Sequence, residues 1–244
     1  MKKWFYILLL YTLVFASQPH SLIGFRGLIF TPSSSVFPID GESGFGYSYI
    51  SAPHIFIDKT GVTKYNHLIW GSLVFIPRIE FNALLTLAPG SPGHDGSDTY
   101  KDFALFAHIY LKEQSKQSPS IMLGIHDFYS YSYYNSLFLS MSKSLELAPR
   151  NRINIHLGYG VDWLDIHYGD VGDDAKLFVP HYLLGCFGGI EYSYKNYVSF
   201  LIEYDTHQIN TGLNLNLFNR IQILITMLNT DTFSFGIDYK LFLL

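Results

Sequence analysis

Carboxylate, imidazole and ammonium groups recur on the polar side of alternating segments throughout this chain. The candidates are Glu80, His126, His156, Glu191, Glu203, Asp205, Asp238 and Lys240, with His108 and Arg78 as further members. Gathered in one interior, they could form a lining that repels anions and hydrogen-bonds sugar hydroxyls, or an internal charge network that rigidifies a narrow barrel. We favour the charge network, because a barrel of this size can be largely filled by its own side chains.

Motifs for catalysis and metal binding are weaker. No G-x-S-x-G, H-E-x-x-H or phosphate-binding loop occurs. The adjacent pair His126-Asp127 would point to opposite faces of a strand. The acidic stretches at 94–98 and 162–174 lack EF-hand spacing, and we interpret both as solvated loops. We therefore expect no metal, no cofactor and no enzyme activity, with a barrel hydrolase or acyltransferase as the alternative.

The elements that must position these groups show a period of two. Between 151 and 160, Ile155 and Leu157 fall on one face while Asn154 and His156 fall on the other, and residues 233–241 repeat the pattern. This period indicates β-strands, since successive side chains point to opposite faces of a sheet. A large apolar face opposite a small polar face is typical of a transmembrane barrel with lipid outside and a wet lumen. Asp127 falls on the apolar side, so a bulge or a strand end must redirect it.

The pattern predicts an all-β, antiparallel outer-membrane barrel of about twelve strands. The predicted strands are 42–51, 63–75, 78–88, 101–112, 119–129, 133–145, 151–160, 184–194, 196–205, 208–218, 220–229 and 231–241. The three longest connections fall at one end and the short turns at the other, as in outer-membrane barrels. Aromatic residues make up 17% of the chain, which fits girdles at two membrane interfaces. The alternative is a soluble periplasmic β-fold that binds lipid or sugar.

The N-terminus predicts export. Lys2 and Lys3 precede an apolar run, and small residues end it at Ala16, so we interpret residues 1–16 as a cleaved signal peptide. We assign residues 17–41 to an N-terminal segment and 42–244 to a single barrel domain. A formal net charge of −4 gives no reason to expect nucleic acid as a partner. The single cysteine, Cys186, excludes an intrachain disulfide.

The segment 17–41 is apolar and needs burial, although Gly24, Gly27 and Pro32 interrupt any regular element. It either folds into the lumen as a plug, with Arg26 meeting the acidic wall, or packs under the barrel as a periplasmic tail. At the other terminus, residues 234–241 resemble the closing-strand signal of outer-membrane proteins. The expected partners are therefore outer-membrane lipid and the outer-membrane assembly machinery.

Several short motifs resemble the YjbH-like family. The first is Gly27-Leu28-Ile29-Phe30-Thr31-Pro32-Ser33-Ser34, followed by Asp40-Gly41. Later motifs in the family's order are Pro77-Arg78-Ile79-Glu80, Lys101-Asp102-Phe103, Gly124-Ile125-His126-Asp127, Leu157-Gly158-Tyr159-Gly160 and Phe187-Gly188-Gly189-Ile190-Glu191-Tyr192. The chain departs from the family in being much shorter than its large members. It also carries Tyr129-Ser130-Tyr131-Ser132 in place of a Gly-Thr-Gly turn.

The resemblance implies an outer-membrane barrel that acts in exopolysaccharide or capsule production or secretion, as a pore or an assembly component. It also implies polysaccharide and periplasmic export components as partners. Within the family motif, Gly27, Thr31 and Pro32 are the N-terminal positions that we single out.

Overall fold

The computed structural model describes residues 19–35, 37–54, 63–91, 97–128, 134–162, 183–195 and 197–243. Over these residues the chain forms twelve β-strands in one closed sheet. Their bounds are β1 Glu42–Ser51, β2 Tyr65–Ile76, β3 Ile79–Pro89, β4 Thr99–Lys112, β5 Ser120–His126, β6 Ser136–Ala148, β7 Asn151–Val161, β8 Gly185–Tyr194, β9 Val198–Tyr204, β10 Ile209–Leu217, β11 Ile221–Leu228 and β12 Thr232–Phe242. Among these residues, no helix is long and apolar enough to cross a membrane. The proposed signal peptide lies outside the described residues.

The barrel closes because β1 pairs with both β2 and β12. Glu42 lies opposite Phe242 and Tyr49 lies opposite Phe235, and every other strand pairs antiparallel with its neighbours in the chain. Closure satisfies the backbone hydrogen bonds of both terminal strands and leaves no sheet edge. The predicted all-β antiparallel barrel of twelve strands is confirmed.

Residues that alternate between polar and apolar along a strand differ in burial in the folded barrel. On β7, Asn154 and His156 are buried inside the barrel, whereas Ile155 and Leu157 are exposed on its outer wall. β12 repeats the arrangement with Ser234 and other buried polar residues between exposed apolar ones. The inward face is not uniformly small and polar, because a buried apolar cluster also lines it. Its wall members include Leu68, Leu84, Phe106, Phe138, Phe187, Leu201 and Leu224.

The two ends of the barrel carry different connections. At one end, here called the turn end, the connections are 77–78, 113–119, 149–150, 195–197 and 218–220. At the other, the loop end, they are 52–64, 90–98, 127–135, 162–184, 205–208 and 229–231. β1 begins and β12 ends at the turn end, so both chain termini of the barrel lie there.

The largest difference from the predicted strands lies between β5 and β6. β5 ends at His126 rather than at 129, and β6 begins at Ser136 rather than at 133. The strand stops because Asp127 takes a left-handed backbone conformation with φ of 50°. The side chain is thereby turned away from the outer wall and is buried. Residues 129–133, which include the departure from the family motif, lie outside the described residues.

Candidate functional site

The interior of the barrel holds residues 19–35, here called the luminal segment. Its backbone folds back on itself, with Leu22 N donating to Ile29 O at 2.9 Å and Ser33 N donating to Arg26 O at 3.1 Å. Its apolar side chains are fully buried and belong to the same cluster as the apolar wall residues. Of the two predicted arrangements, the segment thus takes the position inside the lumen.

Small wall residues make room for this segment. A Cβ atom added to Gly189 would lie 2.4 Å from Leu28 Cδ1, and one added to Gly212 would lie 3.1 Å from Ile29 Cδ1. Both glycines belong to inward-facing positions of neighbouring parts of the wall, β8 and β10. The wall is therefore shaped to the segment at these contacts.

Glu203 of β9 anchors the family motif. Its carboxylate accepts hydrogen bonds from the backbone N–H groups of Ile29, Phe30 and Thr31 at 2.8–3.1 Å. The Thr31 hydroxyl donates a further bond at 2.9 Å. Successive N–H groups converging on one anion form a nest, which stabilises a carboxylate that burial would otherwise disfavour. The Asn210 amide group also contacts the carboxylates of Glu203, at 3.2 Å, and Asp205, at 2.8 Å.

The shape of the turn depends on the other two motif positions, Gly27 and Pro32. A Cβ atom on Gly27 would lie 2.3 Å from the Thr31 carbonyl oxygen, so a side chain cannot be accommodated without moving the backbone. Pro32 pairs with Gly27 in an isolated β-bridge, and its carbonyl accepts a bond from the Ser140 hydroxyl at 3.2 Å. Gly27, Thr31 and Pro32 thus form the turn that presents N–H groups to Glu203.

Arg26 carries the positive charge of the luminal segment. Its Nη2 atom lies 2.7 Å from Glu42 Oε2, and its Nε atom lies 3.7 Å from Glu80 Oε1. All three side chains are buried. Burial acts to lower the pKa of the guanidinium, but the attraction of Glu42 and Glu80 outweighs it and raises that pKa above its usual value.

A chain of polar contacts continues from Glu80 along the wall. Glu80 Oε2 lies 3.4 Å from His108 Nδ1 and accepts a bond from the Tyr110 hydroxyl at 3.1 Å. The Nε2 atoms of His108 and His126 are 2.7 Å apart. The Phe25 ring covers His126 with a centroid separation of 4.8 Å. The luminal segment therefore closes over these groups.

A second group of contacts holds the start of the segment. The backbone of His20 exchanges two hydrogen bonds with the Gln222 amide group, at 2.7 and 2.9 Å. His20 Nδ1 lies 3.3 Å from Asp238 Oδ1. Lys240 is buried next along the same inward face of β12.

Two serine–histidine contacts bear on the enzyme alternative. In the first, Ser72 Oγ lies 3.4 Å from His20 Nε2, and His20 Nδ1 lies 3.3 Å from Asp238 Oδ1, with all three residues buried. The second lies on β6 and β7. Ser142 Oγ lies 2.9 Å from His156 Nδ1. The nearest carboxylate on that wall, Glu191, is engaged by Asn154 Nδ2 at 2.7 Å and by the Ser193 hydroxyl at 2.8 Å. Ser142 also accepts a bond from Ser34 N at 2.9 Å, so its hydroxyl is covered by the luminal segment. The Ser142–His156 contact lacks the oriented acid of a hydrolytic triad, and the buried Ser72–His20–Asp238 series lacks the open approach that such a triad needs.

The structure places all eight predicted site residues in the barrel interior, each at most 6% exposed. They fall into four groups. Glu80 and His126 are joined through His108, and Glu203 and Asp205 through Asn210. Glu191 lies opposite Asn154, which shares the inward face of β7 with His156, while Asp238 and Lys240 share the inward face of β12. Arg78 is exposed in a turn at the end of the barrel, so the suggestion that it joins them is wrong. Among described residues there is no cluster of three potential metal ligands. Most of the two acidic stretches lies outside those residues.

Sequence reasoning missed several groups that bind the segment. Glu42, Ser120, Ser142 and Gln222 all face the interior and are buried. Each is in phase with inward positions of its own strand, so the period of two was a sufficient signal for their orientation. Nothing local to these strands predicted which residue of the luminal segment each would meet.

The nest around Glu203 gives a direct prediction. Replacing Thr31 by valine keeps the volume but removes one hydrogen bond to the carboxylate, which should lower the free energy of unfolding by about 1.5–3 kcal/mol. Thr31→Ser keeps the hydroxyl and is the matched control. Denaturant titration of the refolded barrel in detergent measures both variants. Equal stability of Thr31→Val and the unmodified chain would contradict the anchoring role.

Comparison with protein families matches residues 20–243 to a family model described as YjbH, exopolysaccharide biosynthesis protein YbjH. The match spans residues 20–35 of the luminal segment and all twelve described strands. A comparison with curated proteins finds no match.

Proposed function

This chain belongs to the YjbH family of exopolysaccharide biosynthesis proteins, and from that premise we propose that it is an outer-membrane barrel that serves exopolysaccharide production or secretion. The observation that carries the membrane part of the proposal is the outer wall. On β9, for example, Phe200 and Ile202 are 56% and 57% exposed, with the buried Leu201 between them. An apolar wall of this kind around a closed barrel suits hydrocarbon rather than water.

The filled lumen favours a role as an assembly component or a gated pore over a role as an open channel. Contrary to the expectation from the sequence, wall side chains alone do not fill this barrel: twelve strands enclose a wider interior than side chains just fill, and the luminal segment occupies the added space. Passage of a polysaccharide would require this segment to move. We therefore favour an assembly component or a gated pore over a permanently open channel.

The orientation that we propose for the barrel in the membrane follows from the lengths of the connections at its two ends. Outer-membrane barrels have short periplasmic turns and longer external loops, so the turn end would face the periplasm. Export by a signal peptide over residues 1–16, insertion by the outer-membrane assembly machinery and contact with periplasmic export components complete this proposal. We propose no catalytic role, since both serine–histidine contacts among the described residues, Ser142–His156 and Ser72–His20, are buried where the luminal segment packs on the wall.

A test in cells addresses the polysaccharide role. Deleting the gene from its source bacterium should reduce or alter the surface polysaccharide, and the unmodified gene should restore it. The same strains allow fractionation, and the protein should appear in the outer membrane as a band whose gel mobility changes on boiling. Unaltered polysaccharide in the deletion strain would overturn the role, while recovery of the chain in the soluble periplasm would overturn the membrane location.

A substitution on the outer wall tests membrane insertion separately. Leu157 is 60% exposed near the middle of β7, so Leu157→Arg should cost about 2–4 kcal/mol in a bilayer. In a soluble barrel, an exposed substitution of this kind would change stability by only about 0.5 kcal/mol. The control is Phe218→Arg in a turn-end connection, where the cost should be about 0–1 kcal/mol. Equal, small effects of both substitutions on stability in vesicles would favour the soluble β-fold.

A further inference from the structure

The charges of the two barrel ends are opposite. The turn-end connections carry five basic residues and one acidic residue, whereas the loop-end connections carry three basic and eleven acidic residues, counting histidine as neutral. The five basic residues are Arg78, Lys116, Arg150, Lys195 and Arg220. The turn end therefore offers a positive surface that an anionic partner would match.

The residue preferences of tight turns do not explain why basic residues occur at these positions. Arg78, Arg150 and Lys195 have φ values of 65°, 74° and 51°, in the left-handed region that favours glycine and asparagine. A long side chain with a Cβ atom is a less favourable choice at each of these positions. Three separate turns nevertheless carry a positive charge there, which points to a use for the charge itself.

Two of these cations lie side by side. The Lys195 backbone N–H donates to the Arg150 carbonyl at 2.7 Å, which joins the two neighbouring turns. Both residues are exposed, and neither takes part in an ion pair within the described chain. Two positively charged residues on turns that are joined through their backbones, neither of them in an ion pair among the described residues, can be complemented by one anion that contacts both.

The pair borders the outer wall. Lys195 Nζ lies 4.8 Å from the centroid of the Tyr194 ring, and Tyr194 is 43% exposed on the outward face of β8. The neighbouring turn shows the same arrangement, with Arg220 Nη1 donating to the Tyr239 hydroxyl at 3.3 Å. Arg78 differs, because its guanidinium lies over the Phe37 ring, which follows the luminal segment in the chain. Aromatic rings with flanking cations are what the headgroup level of a bilayer favours.

We propose that Arg150 and Lys195 form a binding site for the phosphate of an anionic phospholipid, whose acyl chains lie on the apolar outer wall. This inference rests on the proposed membrane insertion. The outward position of the pair favours a lipid over an anionic polysaccharide, which would approach the mouth of the barrel. The turns that carry the pair are two and three residues long, which keeps both charges close to the wall.

The test measures lipid preference at the protein surface. The full chain is inserted into phosphatidylcholine vesicles, and spin-labelled phosphatidylglycerol and phosphatidylcholine are compared by electron paramagnetic resonance. At low salt the association of phosphatidylglycerol should be about threefold stronger, and this ratio should fall toward one at high salt. Equal association of the two lipids with the inserted chain would overturn the proposal.

Two variants test whether the preference for phosphatidylglycerol depends on Arg150 and Lys195. Arg150→Asn with Lys195→Asn should abolish the preference without unfolding the barrel, because asparagine suits both left-handed positions. Arg78→Asn is the matched control, since it makes the same change at the same kind of turn but over Phe37, and it should keep the preference. Loss of preference in Arg78→Asn and not in the double variant would contradict the assigned site.

The remaining outcomes are also distinguishable. If polygalacturonate binds the vesicle-inserted chain and the double variant loses this binding while its lipid ratio is unchanged, the site serves an anionic glycan and the lipid proposal is wrong. If the chain fails to insert into pure phosphatidylcholine, with no mobility change on boiling, the proposed membrane function fails. Insertion with equal lipid association overturns the phospholipid site alone.

Discussion

Replacing Arg26 by methionine is expected to lower the free energy of unfolding of the barrel by about 3–5 kcal/mol. Arg26 lies between Glu42 and Glu80, both of them buried. Methionine fills a similar volume but removes the guanidinium that both carboxylates face, and the loss of this compensation for buried charge is the dominant cost. Denaturant titration of the refolded protein in detergent measures the change.

A triple variant separates the effect of losing the Arg26 charge from the effect of losing its packing. In Arg26→Met combined with Glu42→Gln and Glu80→Gln, no uncompensated carboxylate remains at this contact, so most of the lost stability should return. Arg26→Lys keeps the charge but not the planar fork, and its stability should lie between those of the unmodified chain and Arg26→Met. A triple variant no more stable than Arg26→Met would show that the buried ion pairs are not what Arg26 contributes.

Removing residues 20–34 is expected to raise the conductance of the barrel in a planar bilayer by about tenfold or more. These residues fill the lumen and hydrogen-bond to Glu203, Gln222 and Ser142 of the wall. Without them the interior of a twelve-stranded barrel has space for water and ions. The full chain, with the segment in place, should show little steady current.

Two controls accompany this measurement. The deletion variant must still change its gel mobility on boiling, which shows that the barrel is folded. A second variant lacking residues 165–174, from the connection between β7 and β8, keeps the luminal segment and should conduct no more than the full chain. A folded barrel that lacks residues 20–34 and remains as silent as the full chain would show that the segment does not close the lumen.

The alternating pattern was enough to predict most of the barrel. β1 was predicted at its observed bounds, and the inward direction of His156 and Glu191 followed from phase alone. The end of β5 was not predictable in this way, because it depends on the left-handed backbone of Asp127. A single residue in that conformation leaves no periodic signal.

The contacts of the luminal segment were less accessible to sequence reasoning. A charged partner for Arg26 on the acidic wall was foreseen, but Glu42 was not singled out as that partner. The bonds from residues 29–31 to Glu203 were also not predicted. Such pairs depend on which residues of distant strands a closed barrel brings to the same height along its axis. The period of two within one strand carries no information on that height.

The luminal segment also imposes an order on assembly. It is the first described part of the chain to be synthesised, yet its partners Glu203, Gln222 and Asp238 lie 172 to 218 residues later. The cylinder itself cannot close before β12 reaches β1. Leu22, Phe25 and their apolar neighbours must therefore stay without their final contacts until the last strand is in place, and contacts so distant in sequence form slowly. The segment that fills the finished barrel is thus synthesised before the wall that it contacts, and it reaches its final contacts only when that wall has closed.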